Sequence, residues 1–338
     1  LVAPSLQKTV LFAPSAGPLI GGGHVMRGLT LAEALAARGA RCAFAVNDAG
    51  AALIDRFGNG AFAIHRADVQ SVLSAERFDV LVLDDYALDA GQERPLRDAV
   101  KRLVVIDDLA DRPHLADLLI DPGYGRTDAD YASLLAADAI CLTGSRYALV
   151  KPTFAQLRAD ALARPVAKEP RRLFASFGLS DIDGIAARAI DAMRPVFPDL
   201  QIDIALASDA QSVPALKGRA KIDPNLRLHL DATHVADLMA AADLAVGAGG
   251  ASTWERACLG LPTLAVILAD NQRAMIRRMA SNDALLAVDL QENGFEARFI
   301  EALTRLRSSD LRASLRSASA GLCDGRGAER VAEAILAL

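Results

Sequence analysis

The sequence predicts two doubly wound α/β domains, and three observations carry that reading. Its 338 residues exceed the size at which one hydrophobic core usually stops growing. Short, near-continuous apolar runs alternate with helix-like stretches, the pattern of parallel strands covered on both faces. The alternation breaks over a proline-bearing stretch near the middle of the chain and then restarts. The expected organisation is an N-terminal domain over residues 1–150, a linker over 151–170 and a C-terminal domain over 171–338, whose last helices, from Ser309 on, can cross back to the first domain.

The first half opens with a strand-like run, KTVLFAP at Lys8, followed by a helix through LTLAEALAARG that Gly39 ends at a C-cap position. CAFAV at Cys42, FDVLVLDDY at Phe78 and RLVVIDD at Arg102 supply further strands. Residues 145–170 are less regular and carry Pro152, Pro165 and Pro170, which marks the linker. The second half repeats the alternation with RRLFASF at Arg171, IDIALA at Ile202, LRLHL at Leu226, DLAVGAGG at Asp243, PTLAVILAD at Pro262 and LLAVDL at Leu285. The two domains are expected to face a central cleft. Ligands of open α/β sheets sit beyond the carboxyl ends of the strands, so the loops that follow strands are where chemistry is sought.

Composition narrows the function classes. Half the residues are apolar, yet charged residues interrupt every apolar run before it reaches the roughly 18 to 20 residues of a membrane span, so no membrane insertion is expected. Lys8 to Pro14 reads as a buried strand and not as a secretory signal, since no A-x-A-like site follows. Cys42, Cys141, Cys258 and Cys323 lie far apart without a C-x-x-C pair, which reads as free thiols in a reducing cytoplasm. The formal charge of −5, with no basic run or aromatic ladder, argues against a nucleic-acid partner.

Two glycine-rich loops carry the strongest chemical signal. Gly21-Gly22-Gly23-His24-Val25-Met26-Arg27 lies between the first strand and the first helix. Its glycines let the backbone approach a ligand, and Gly22, Gly23 and Arg27 are read as substrate contacts. His24 falls in the first helical turn, where the helix dipole disfavours a cationic imidazole and leaves a ring able to accept a proton from water. A bare helix-start histidine is the plainer alternative; the glycines and the strand-end position favour the base. Met26 stands at the third glycine position of G-x-G-x-x-G and no Walker A lysine follows, so neither NAD nor ATP is expected and no cofactor is assigned.

The second loop, Gly247 to Glu255, again follows a strand and opens a helix. Gly249, Gly250, Ser252 and Thr253 suit a diphosphate, and Glu255 lies where a carboxylate can accept from ribose hydroxyls, or can simply complement the helix dipole. Asn271 and Gln272, after the next strand, offer amides for sugar hydroxyl or acetamido groups, while Asp270 reads as a helix cap. Ser180, in the loop after the Arg171 strand, is a further donor to phosphate or base. Tyr86 faces the expected cleft as a hydrogen-bonding or a packing residue. The acidic pairs Asp84-Asp85 and Asp107-Asp108 and the strings Asp128 to Asp130 and Asp181 to Asp183 lack metal-ligand spacing and read as caps and turns; no metal site is expected.

Taken in order, GGGHVMR, VLDDYALD, VIDDLADRPH, LTGSRYALVKPTF, SFGLSD, GAGGASTWERACLGLPTL and LADNQ resemble the UDP-2,4-diacetamido-2,4,6-trideoxy-β-L-altropyranose hydrolases of pseudaminic acid biosynthesis, relatives of MurG-type glycosyltransferases, over nearly the whole chain. The resemblance implies a GT-B architecture of two Rossmann-like domains and a UDP-sugar substrate. It further implies His24 as general base, Gly249 to Thr253 as the diphosphate loop, Glu255 on the ribose, and Tyr86 and Asn271 at active-site positions. The implied reaction is metal-independent, inverting hydrolysis to free sugar and UDP. Leu179 stands where the family usually has a second glycine, Lys151 and Thr153 replace a usual arginine and glutamate, and Ala251 replaces a small hydroxyl residue. Rival readings on the same scaffold are a UDP-sugar glycosyltransferase, a nucleotide-sugar binding protein without turnover and a hydrolysing 2-epimerase, the last lacking its carboxylate pairs here.

Overall fold

The computed structural model describes residues 7–17, 21–179 and 181–338, which fall into two compact units. Unit 1 combines the N-terminal residues through Leu149 with Arg326–Leu338, and unit 2 is Val150–Gly325. Unit 1 runs β1 (Thr9–Pro14), α1 (Gly23–Ala36), β2 (Arg41–Ala45), α2 (Asp48–Phe57), β3 (Ala63–His65), α3 (Val69–Ala75), β4 (Val80–Asp84), α4 (Ala90–Asp98), β5 (Arg102–Ile106), β6 (Leu118–Asp121) and β7 (Ile140–Thr143). Its parallel sheet has the order β3-β2-β1-β4-β5-β6-β7. Unit 2 runs α5 (Pro152–Ala163), β8 (Arg172–Ser176), α6 (Ile185–Val196), β9 (Gln201–Leu206), α7 (Val213–Ala220), β10 (Leu226–Leu230), α8 (Val235–Ala241), β11 (Leu244–Ala248), α9 (Ser252–Cys258), β12 (Thr263–Ile267), α10 (Asp270–Ser281), β13 (Leu286–Asp289), α11 (Phe295–Arg305) and α12 (Ser309–Ala320). Its order is β10-β9-β8-β11-β12-β13, also parallel. α13 (Gly327–Ala337) returns to unit 1.

The central strands are buried along their whole length, as β4, β11 and β12 show, because helices cover both faces of each sheet. α1 presents Leu29, Ala32 and Leu35 to the core, and it ends where Gly39, at φ +90°, donates to the Ala36 carbonyl. α13 packs on α1, and Lys8 Nζ donates to the carbonyls of Ile335 and Leu336, a cation at the negative end of that helix. No helix of the described residues is long and apolar enough to cross a membrane.

The stretch read as a linker is different. Pro152 opens α5 at its first turn, where a missing N–H costs nothing, instead of marking an irregular connection. Arg158 ties that helix into unit 2 by donating to the carbonyls of Cys258, Cys323 (3.0 Å) and Ala320 (2.7 Å). The last helices divide: α12 belongs to unit 2 and α13 to unit 1. All four cysteines are free, and Cys258 and Cys323, distant in sequence, meet in unit 2.

A close backbone approach sits at the ends of β8 and β11. A Cβ on Gly247 would lie 2.2 Å from the Ser176 carbonyl oxygen and 2.9 Å from Arg256 Nη1. Strand pairing holds that carbonyl in place, so it cannot move aside. Gly247→Ala is therefore expected to destabilise the protein by about 1–3 kcal/mol through overpacking. Urea unfolding measures this, and an unchanged midpoint would show that the β8–β11 junction relaxes freely.

Candidate active site

In unit 1 the site grows from the pairing of β1 with β4, which sets Pro14 opposite Asp84 at the carboxyl ends of the two strands. The chain leaves β1, makes a bridge between Gly17 and Gly21 with Gly21 at φ +78°, and enters α1 at Gly23. Among the described residues no side chain caps α1, and its first turn holds no acid, so its leading N–H groups stay available to an acceptor. His24 in this turn is 5% exposed, and its Nδ1 meets Asp84 Oδ1. Arg27, one turn further along α1, grips the same carboxylate with Nε and Nη2, each at 2.5 Å, and reaches Asp108 Oδ2 with Nη1 at 2.9 Å. Tyr86 sets its ring edge-on to the imidazole at 4.7 Å between centroids.

This arrangement decides the tautomer. Burial alone would raise the Asp84 carboxyl, but the adjacent Arg27 guanidinium and His24 outweigh it and hold the group well below the usual carboxylate range. An ionised carboxylate only accepts, so the proton lies on His24 Nδ1. Nε2 has no hydrogen-bond partner among the described residues, so it is the ring nitrogen open to water or a ligand. A neutral, oriented imidazole of this kind can take a proton from water.

Two sequence expectations change here. Arg27, read as a substrate contact, donates from Nε, Nη1 and Nη2 to Asp84 and Asp108 and so clamps the histidine's partner, a role the sequence did not suggest. Asp84 and Asp108, read as caps or turns, are ion-pair members; sequence reasoning missed them because their partner lies on α1. The available signal was that β4 adjoins β1 and that Arg27 follows His24 by one helical turn. Asp85 does serve as a turn residue, accepting from the Ala87 N–H at 2.9 Å. Asp107 accepts from the Ala110 N–H at 2.9 Å and from the Tyr131 hydroxyl at 3.0 Å, and that hydroxyl also lies 2.9 Å from Asp121 Oδ2. A phenol carries one hydrogen, so it donates to one of these buried carboxylates at a time, and burial pushes Asp121 up to about 6. Asp130 accepts from Thr127 and Asp128 from Thr143, as turn residues do.

In unit 2, β11 ends at Ala248 and the chain turns through Gly249, Gly250 and Ala251 into α9. Gly249 donates its N–H to Val266 in the sheet, so it shapes the loop instead of offering that donor. A Cβ there would lie 2.6 Å from Ile276 Cγ1. The N–H groups of Gly250, Ala251 and Ser252 take no acceptor among the described residues. Ser252 is partly exposed, whereas Thr253 is buried with its hydroxyl accepting from Arg256 at 3.0 Å. Glu255 is half-buried without a hydrogen bond among the described residues, and burial pushes its carboxyl up while Arg256 and Lys151 partly offset that. Arg256, unflagged in the sequence, lies under the loop, and burial pulls its guanidinium down to about 10 against the opposing field of Glu255.

The flanking loops divide in the same way. Asn271 is exposed in the first turn of α10, while Gln272 Oε1 accepts from the Leu268 N–H at 3.0 Å and braces the loop beside Gly249. Asp270 is the first residue of α10 and pairs with Arg273 at 2.5 Å instead of capping the helix. Ser180 lies outside the described residues. Its neighbour Asp181, at φ +42°, accepts from the N–H groups of Ala186 (2.9 Å) and Ser212 (2.7 Å), and Ser212 Oγ accepts from Ala187. Those donors at the start of α6 are therefore already used.

The clamp has a measurable pH signature. Asp84 titrates lower in the folded chain than in the unfolded chain, so its stabilisation is complete above about pH 4, the unfolded value, and is lost as pH falls toward the folded one. Asp84→Asn is expected to cost about 3–5 kcal/mol at pH 7, because Arg27 is left buried without its main partner. It should also flatten the acid limb of the stability curve. Urea midpoints between pH 7 and pH 2 test both, and an acid limb identical to wild type would remove Asp84 from this role.

No protein-family model matches the chain. It is 24% identical over 264 residues to the spore coat polysaccharide biosynthesis protein SpsG of Bacillus subtilis, covering 77% of this chain and 76% of that protein. It is 26% identical over 240 residues to the UDP-2,4-diacetamido-2,4,6-trideoxy-β-L-altropyranose hydrolase of Campylobacter jejuni, covering 68% of this chain and 81% of that one. Among solved structures, MurG of Acinetobacter baumannii matches with a TM-score of 0.69 at 14% identity over 98% of this chain and 100% of its own. UDP-GlcNAc 2-epimerase of Neisseria meningitidis matches with a TM-score of 0.67 at 11% identity over 98% and 100%. The chain is thus similar in sequence to the altropyranose hydrolase and has the GT-B fold that its motifs implied.

Proposed function

We propose that this protein binds a UDP-sugar and hydrolyses its glycosyl–phosphate bond with a water activated by His24. The observation that carries the reading is the buried His24, with Nδ1 donated to a clamped carboxylate and Nε2 open. Nε2 takes a proton from water as the water oxygen bonds to the anomeric carbon. The bond from that carbon to the diphosphate oxygen breaks, and its electron pair leaves with UDP. One in-line displacement inverts the anomeric centre. Asp84 stabilises the imidazolium that forms, as a carboxylate partner does for a general base.

Residues of unit 2 supply the remaining roles. The free N–H groups of Gly250 to Ser252 and the Ser252 hydroxyl suit the negative charge that develops on the leaving diphosphate, with no metal required. Glu255, raised by burial and lacking a hydrogen-bonded partner among the described residues, gains two donors from ribose hydroxyls. Gly22 and Gly23 let the backbone approach substrate, and Tyr86, Asn271 and Gln272 are assigned to the sugar. Similarity to the Campylobacter jejuni hydrolase supports a 2,4-diacetamido-2,4,6-trideoxy sugar as the glycosyl group.

With such a UDP-sugar, EDTA present and no acceptor, the protein is expected to release UDP and free sugar. His24→Ala should lower that rate at least about a hundredfold while UDP binding is kept, since the base and the nucleotide contacts lie in different units. UDP release that requires an added acceptor would assign sugar transfer instead, and full activity of the variant would remove His24 from the reaction.

A separate expectation concerns the nucleotide. Glu255→Ala should weaken UDP binding by about 1–3 kcal/mol through loss of two charge-assisted hydrogen bonds. Titration calorimetry reads this directly, and an unchanged dissociation constant would move ribose recognition to another residue.

A further inference from the structure

The reaction as derived leaves two buried cations of unit 2 unused, and of these Arg312 donates to the carbonyls of Leu306, Arg307, Ala167 and Lys168 while Arg256 lies under the glycine loop. Arg256 is 1% exposed, and such a position in a helix facing a core is ordinarily apolar. Its donors go to three neighbours in one segment: Nη2 to the Ala248 carbonyl at 2.7 Å and to Thr253 Oγ1 at 3.0 Å, and Nη1 to Ser252 Oγ at 3.1 Å. Its Nε is buried with no partner among the described residues. Glu255 acts on it through space without a hydrogen bond. Glu255 offsets only part of the cost of desolvating this guanidinium, which stays lowered, and an anion at the loop it supports adds to that compensation.

The hydroxyl geometry points the same way. A serine hydroxyl has one hydrogen and two acceptor lone pairs. Ser252 Oγ spends acceptor capacity on Arg256, and hydrogen bonding to a cation strengthens the remaining O–H as a donor. Ser252 is partly exposed, so that hydrogen is free to point out of the protein, whereas Thr253 is buried and serves only to hold the guanidinium. Gly247, where a Cβ would lie 2.9 Å from Nη1, keeps the space that the guanidinium occupies.

We propose that Arg256 is a positioning residue for a nucleoside diphosphate: it fixes the Ala248 carbonyl and the Ser252 oxygen so that the Ser252 O–H and the N–H groups of Gly250 to Ser252 converge on phosphate. This rests on the reading that the 249–253 loop takes the diphosphate. The role is selective, since it acts on phosphate and not on the nucleoside.

The test is UDP and uridine binding to the full chain and to Arg256→Met, Arg256→Lys and Ser252→Ala. Arg256→Met is expected to lose at least about tenfold in UDP affinity while uridine affinity changes less than about twofold. Arg256→Lys keeps the charge but cannot reach three acceptors at once, and should recover only part of the loss. Ser252→Ala should weaken UDP alone. Parallel loss of UDP and uridine in Arg256→Met would mean a merely structural residue and overturn the proposal. Wild-type UDP affinity in Arg256→Met beside a weakened Ser252→Ala overturns it while leaving the loop reading intact; unchanged affinity in both overturns the loop reading itself. If the Arg256 variants do not fold, the side-chain NMR signals of Arg256 in the wild-type protein decide: they should shift with UDP and not with uridine, and no shift with UDP overturns the proposal.

Discussion

Parallel pairing is the constraint on which both units depend. Parallel strands are joined by crossovers, and a sheet that grows in both directions from one strand sends successive crossovers over opposite faces. Here β1 sits between β2 and β4, and β8 between β9 and β11. The loops that leave such neighbouring strands diverge and open a crevice at the carboxyl ends. In unit 1 that crevice receives His24 from the β1 loop and Asp84 from β4. In unit 2 it receives the loop after β11, with the tight β8–β11 junction fixed by Gly247. Topology sets these positions before any side chain is chosen.

Side chains then convert location into polarity. In unit 1 Arg27 is spent on two carboxylates, and the clamp orients an imidazole. In unit 2 Arg256 is buried behind neutral acceptors, the Ala248 carbonyl and the Ser252 and Thr253 hydroxyls. On the proposed function the two arrangements serve different tasks: orienting a base in one unit and holding an anion in the other. Both work because burial removes the water that would otherwise screen the charges.

What the sequence disclosed follows from this division. Central strands such as VLVLD and TLAVI were legible because burial on both faces writes itself into local composition. β3, β6 and β7 were not: they are three or four residues long, and two of them are sheet edges with exposed positions. Pro152 misled because a proline at a helix start and one in a linker look alike until the residues that follow are seen to pack. The glycine loops were legible since close backbone approach needs glycine itself. The partners of His24 and of the unit 2 loop were not, because an ion pair between positions sixty residues apart leaves no local trace, and Arg256 in isolation resembles any helix-surface arginine.

The return of α13 has a consequence for how the protein is made. Unit 2 is continuous in sequence, whereas unit 1 needs residues 326–338 to cover α1 and to anchor Lys8. During synthesis the seven-stranded sheet therefore emerges first but stays incomplete until the rest of the chain has followed. Unit 2, translated later, holds all its own residues sooner. The usual order, in which N-terminal domains finish first as they leave the ribosome, is reversed for the unit that carries His24. A chain released before residue 326 would hold every residue of unit 2 and lack the helix that covers α1 in unit 1.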